Sequence, residues 1–224
     1  MEIYLQLALT ISAGLGFIYG LFRFFRKDST ANASLTYLRM IVFGIGCAML
    51  GRLYGTLMLL VKGEYYPGFN VGMLGIIGSF LFFFSANFGQ LDSVVDDGSS
   101  KFIKARIIAF AAPLSVAALW CAVFAEYGFN EMTISVGVEV LALALASYFH
   151  LKHLIMKDAG SGILRSMRSY NLLALVYAVL CLIEVLADSL ELPSYTAIIV
   201  CVLECAILLV FLPVLKRGVK KWTI

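Results

Sequence analysis

Long apolar runs separated by short polar ones set the pattern of this chain. The runs cover Ile3 to Phe25, Met40 to Val61, Val71 to Leu91, Ile107 to Ala125, Met132 to His150, Asn171 to Ser189 and Ser194 to Leu215. Each approaches the roughly 20 residues that an α-helix needs to cross about 30 Å of hydrocarbon. Within each run the apolar residues are continuous, whereas lipid-facing β-strands would alternate apolar and polar over about 10 residues. The pattern predicts an all-α fold: a polytopic membrane protein, a single bundle of seven transmembrane helices over residues 1–224 with no soluble domain. The first run resembles the core of a signal peptide. Glu2 stands where a basic leader segment belongs, however, and Arg23, Arg26 and Lys27 follow the run, so it reads as a span.

Composition agrees with this reading. Hydrophobic residues make up 62% of the chain and charged residues only 14%, against an apolar share of about half in soluble domains. Charge adds orientation. All Lys and Arg except Arg52 and Lys62 fall in four places: Arg23 to Arg39, Lys101 to Arg106, Lys152 to Arg168, and Lys216 to Lys221. These are alternate connections, and the opposite ones carry Glu64, Glu126, Glu131 and Glu191. The positive-inside rule then predicts an outside N-terminus and a cytoplasmic C-terminus in a plasma or inner membrane. The net charge of +3 reflects loop anchors. Nucleic acid is not an expected partner, because no aromatic-rich basic surface accompanies the charge.

Small residues mark helix contacts. Gly16 and Gly20 share the four-residue spacing that lets backbones approach closely, and Gly44, Ala48 and Arg52 share one face of the second run. Pro113 predicts a kink in the fourth run, which carries no charge and reads as a connector. Runs six and seven, joined by a short turn around Pro193, are expected to be neighbours. Runs one to three and five to seven point in the same directions. That is compatible with a 3+1+3 arrangement in which Arg52 corresponds to Glu184.

Arg52 is the candidate centre. A guanidinium keeps its charge at any accessible pH and is costly at bilayer depth, so it must face helices, water or carboxylates. Glu139, Glu184 and Glu204 lie inside other runs, and Tyr177, Cys181, Glu184 and Asp188 share one face by i,i+4 and i,i+3 steps. The expected ligand-binding or ion-coupling set is Arg52, Glu139, Tyr177, Glu184, Asp188 and Glu204, lining a cavity in the outer half. The bland alternative is an ion pair between Arg52 and one glutamate that only holds helices in register, leaving the other acids neutral.

No catalytic residue, metal site or cofactor is implied. His150 and His153, the only histidines, flank Lys152 near a helix end and read as interfacial residues with snorkelling side chains. Cys201 and Cys205 share a face but read as packing residues. The third histidine of the ceramidase-related zinc hydrolases is missing, and the seventh run has no lysine for a retinal Schiff base. Neither an Asp-Arg-Tyr nor an Asn-Pro-x-x-Tyr element is present. Only the layout resembles seven-helix receptors and the membrane sensor regions of histidine kinases, and layout carries no function.

The leading expectation is a receptor-like sensor that binds a small ligand in the outer half and signals to a separate cytoplasmic or membrane partner. The alternative is a small-molecule or proton-coupled transporter using the intramembrane Glu and Arg residues. A structural subunit of a membrane complex stands third, and an enzyme is less expected than any of these. Expected partners are therefore the lipid bilayer, a small ligand or proton, and a signalling protein or complex subunit.

Overall fold

A computed structural model describes residues 1–25, 33–64, 68–157, 162–187 and 193–220. It is all-helical, and seven helices are long and apolar enough to span a membrane. They are α1 (Glu2–Phe24), α2 (Ala33–Lys62), α3 (Val71–Val95), α4 (Ser100–Tyr127), α5 (Glu131–Ile155), α6 (Ile163–Leu186) and α7 (Ser194–Val219).

The helices outrun the apolar segments, mostly at one end of the bundle. α2 begins before Arg39, α5 continues past Lys152, and α6 starts ahead of Arg165 and Arg168. Hydropathy stops at the first charge. A helix need not, because its backbone hydrogen bonds continue past a charged side chain, whether that side chain reaches out to water or, like Lys152, is paired inside the bundle. This end, rich in Lys and Arg, is called the basic end below. The opposite one, where α1 starts, is the N-terminal end.

Caps define several termini. Asn70 accepts a hydrogen bond from the Met73 N–H at 3.1 Å and starts α3. Asn130 and Thr133 form a reciprocal capping box at the start of α5, at 2.9 and 3.1 Å. Arg39 Nε donates to the Phe24 carbonyl at 3.1 Å, satisfying the end of α1 and tying it to α2.

Six helices form a ring in the order α1, α2, α3, α5, α6, α7, with α7 closing on α1. α4 lies outside it against α5, and 17% of its most apolar window is buried compared with 61% for α5. The expected adjacency of α6 and α7 is present. Glycines set the close approaches. A Cβ on Gly51 would lie 2.5 Å from the Gly72 carbonyl oxygen, and one on Gly75 would lie 2.5 Å from the Gly51 Cα, so α2 and α3 meet backbone to backbone. Gly16 faces the Leu208 carbonyl of α7.

Two helices depart from a regular ladder. α4 is interrupted at Phe110, between Ile103–Ala109 and Ala111–Tyr127, where Pro113 lacks the N–H that would bond back to Ala109. α3 passes through a π-helical turn at Asn87–Asp92. Such a turn accommodates one extra residue and re-aims the side chains beyond it.

Candidate functional site

Close packing of Gly51 on α3 turns the neighbouring Arg52 toward the ring interior, where it is 6% exposed. Its Nη1 and Nη2 grip the two carboxylate oxygens of Glu184 on α6 in a fork, and Nη2 also donates to Glu204 Oε2 on α7 at 2.9 Å. Three helices are thus tied at one guanidinium, and a bidentate pair of this kind fixes direction as well as distance. α1 joins through Gln6, whose Nε2 donates to Glu184 Oε1 at 3.4 Å. The hydroxyls of Thr10 and Thr56 lie 3.0 Å apart, and Thr56 donates to the Arg52 carbonyl at 2.9 Å.

The cluster is incompletely satisfied. Arg52 Nε, Glu204 Oε1 and the Tyr177 hydroxyl are buried without a hydrogen-bond partner among the described residues. Tyr177 lies within electrostatic reach of Glu204, Arg52 and Cys181. Glu139 on α5 is 5% exposed and close enough to interact electrostatically with Glu184 and Arg52, yet it has no hydrogen bond among the described residues. Glu184 is the open side of the cluster: its side chain is 31% exposed and sits within one turn of the end of α6 at Leu186.

Of the six residues expected at the site, five therefore converge, Arg52, Glu184 and Glu204 in direct contact with Glu139 and Tyr177 beside them. Asp188 lies outside the described residues. Arg52 contacts two glutamates, Glu184 through both of its oxygens and Glu204 through one. A separate groove of about 470 Å³ at the N-terminal end is lined by Phe69, Phe129, Ile134 and Val138 with Asn130 and Glu131, none of them in the expected set.

Toward the basic end an aromatic layer closes the interior. Tyr177 stacks on Phe80 with centroids 5.7 Å apart, and Phe83 stacks on Phe211 at 5.4 Å. Beyond it lies a second polar group that the sequence reading missed. Tyr37 OH donates to Asn87 Oδ1 at 3.0 Å, Asn87 Nδ2 lies 3.3 Å from His150 Nε2, and His150 Nδ1 lies 3.0 Å from Asn171 Oδ1. With Asn87 Nδ2 donating to Nε2 and Nδ1 donating to Asn171 Oδ1, these contacts match the hydrogen-bonding pattern of a neutral imidazole. Asn171 Nδ2 is buried there without a partner among the described residues, and the Tyr170 hydroxyl is buried next to Tyr37. The polar residues at the end of the third run were the available signal, but amide and ring positions on three helices cannot be matched by spacing alone.

The histidine reading needs correction. His150, Lys152 and His153 are 1%, 3% and 0% exposed, so none is an interfacial snorkelling residue. α5 is central to the ring, and its face at this end meets acids supplied by α3. Lys152 Nζ bonds Asp92 Oδ1 at 2.7 Å and Asp96 Oδ2 at 2.6 Å, and His153 Nε2 lies 2.9 Å from Asp92 Oδ1. Arg106 completes the network with a fork onto Asp96. The segment from Asp92 to Ser100 is therefore anchored by two inward acids, Asp92 and Asp96, with the π turn bringing Asp92 to α5. The Arg106 hydrogen bonds, followed by Lys152, hold the Asp96 carboxyl well below the usual carboxylate range. Asp97, exposed, is lowered by its hydrogen bond from Lys101.

Comparison with protein-family models, curated proteins and solved structures finds no match. Function must be argued from the geometry alone. The interior offers one permanent cation, three acids and a phenol above an aromatic layer, and an uncharged hydrogen-bonding group below it. Such a set can hold a small polar or cationic group, or a proton. Among the described residues no group of three His, Cys, Asp or Glu side chains is arranged so that it could hold a metal ion.

Proposed function

We propose that this protein is a membrane sensor that binds a small polar or cationic ligand at the Arg52 cluster and relays binding to a separate partner at its basic end. The observation that supports it is the ion cluster itself. Arg52, Glu184 and Glu204 hold three helices together while Arg52 Nε, Glu204 Oε1 and the Tyr177 hydroxyl find no hydrogen-bond partner among the described residues. A ligand that engages these atoms would shift the relative positions of α2, α6 and α7, and only such a differential contact can move a conformational equilibrium. The tightly packed rings of Phe80, Phe83, Tyr177 and Phe211 favour binding without passage. By the positive-inside rule the Arg52 cluster faces outward and the basic end faces the cytoplasm.

A carrier is the second reading. It is favoured by the polar group around His150, which lies beyond the aromatic layer along the same interior. Movement of the rings would join the two polar regions.

A thermal-shift screen of purified protein against small amines, inorganic cations, sugars and amino acids tests both readings. A compound that stabilises the wild type, but not the Glu184→Gln variant, supports the site. Uptake of that compound into sealed vesicles would then select the carrier, and absence of uptake the sensor. If no compound shifts the wild type and only a co-purified membrane protein does, the cluster is a structural tie in a larger complex and the ligand reading is abandoned.

A further inference from the structure

The hydrogen-bond inventory of the Arg52 cluster carries more than a generic site. One guanidinium faces three carboxyl groups: Glu139 from α5, Glu184 from α6 and Glu204 from α7. The other titratable groups facing the cluster are Tyr177 and Cys181 from α6 and Cys201 and Cys205 on the Glu204 helix. α1 contributes Gln6 and Thr10, which do not titrate, and α3 contributes Phe80. The described Lys, His and remaining Arg residues lie at the basic end, apart from Lys62, which is exposed at the end of α2.

Glu184 is served as an anion. Both of its oxygens take guanidinium hydrogens, a third donor comes from Gln6, and its side chain is 31% exposed. The other two acids are not. Among the described residues Glu204 is wholly buried with one oxygen on Arg52 and only the weak thiol donor of Cys181 besides, and Glu139 is 5% exposed with no donor. An ionised carboxylate taken out of water without a paired cation or donors is the costliest arrangement available to it, and it neutralises instead.

We infer that this cluster is a proton-binding site: Glu139 and Glu204 together hold at least one exchangeable proton at neutral pH, while Glu184 is the anion paired with Arg52. The Tyr177 hydroxyl lies within electrostatic reach of Glu204 without a hydrogen bond to it, and the Cys181 thiol is near both. A ligand that brings a positive charge to the same acids releases the proton, so cation binding and protonation exclude one another. This deepens the proposed ligand reading, since it rests on the same site. It does not depend on identifying a ligand.

Infrared spectroscopy of the purified full-length protein in an ester-free detergent tests it directly. At neutral pH the wild type is expected to show a protonated-carboxyl C=O band that shifts down in D₂O. That band is expected to be diminished in Glu139→Gln or Glu204→Gln and lost in the double variant, and in Glu184→Gln, where Arg52 takes one remaining acid as its anion, to be weakened at most and not abolished. Each of the first two glutamines copies a neutral acid in shape, so the variant carrying it at a protonated position keeps the wild-type melting temperature. No such band in the wild type, a band unchanged in the Glu139→Gln/Glu204→Gln double variant, or a band lost only in Glu184→Gln would overturn the inference. A band present without any ligand response removes the sensor reading and leaves the proton site. A ligand response without the band does the reverse.

Discussion

Arg52 is the residue whose environment decides most. Replacing it with Gln leaves Glu184 and Glu204 facing each other in a buried site, and breaking a buried pair from one side costs about 3–5 kcal/mol. Arg52→Gln is therefore expected to lower the thermal midpoint strongly, with partial recovery in the Arg52→Gln/Glu184→Gln double variant. Full wild-type stability of the single variant in a melting experiment would show that the cluster carries no structural weight. Arg52→Lys keeps the charge but cannot reproduce the fork onto Glu184, so it should fall between the two. Asp96 makes a different prediction. Its carboxyl is lowered in the folded protein, so the stability it adds is fully present above the ordinary carboxylate value of about 4 and is lost as pH falls below it. In Asp96→Asn the melting temperature should be lower at neutral pH and its decline on acidification shallower. Parallel curves for the two proteins would argue that Arg106 and Lys152 do not stabilise the anion.

At the scale of helices, the tightest test lies between α2 and α3. An alanine at Gly51 or Gly75 must push one backbone off another, because its methyl would sit 2.5 Å from main-chain atoms. Overpacking of this kind costs about 1–3 kcal/mol. Gly89, on the open side of the π turn, has nothing within 4 Å of an added Cβ, so Gly89→Ala serves as the tolerated control. Equal losses in all three variants, measured by detergent denaturation, would remove close packing as the explanation. The helices were largely legible in the sequence because twenty-residue hydropathy is additive along the chain, and a proline such as Pro113 acts locally. Their basic ends were not, since Arg39, Lys152 and Arg165 end an apolar run without ending a helix. The convergence of Arg52 with glutamates could be read from the cost of a charge at depth. Which glutamates it holds depends on how α2, α6 and α7 rotate against each other. The network of Asp92, Lys152 and His153 was hidden for a related reason: it needs the π turn, which left no recognisable mark in the local sequence.

For the molecule as a whole, the ring of six with α4 outside separates roles. Trp120 attaches α4, donating from Nε1 to the Thr133 carbonyl at 2.9 Å while its ring fills the space over Gly137. Trp120→Ala should loosen α4 and leave the Arg52 cluster intact, so limited proteolysis near Tyr127 should accelerate while the protonated-carboxyl band stays unchanged. Loss of both together would show that α4 belongs to the core. Orientation is tested by labelling. A cysteine at Phe129 should react with a membrane-impermeant thiol reagent on intact cells, and one at Ser100 only after permeabilisation; the opposite pattern would reverse the proposed topology.

The π turn at Asn87–Asp92 has one more consequence, which concerns angular phase. An extra residue sets everything after it back by about 100° around the helix axis relative to an uninterrupted α-helix. Asn87 meets His150 and Asp92 meets Lys152 across the same interface because α3 changes phase between them. If the turn relaxed to regular α-helix, the two contacts could not both be kept. The segment that carries Asp92, Asp96 and the connection to α4 would then turn as one piece, converting a small axial adjustment inside the ring into a rotation at its rim.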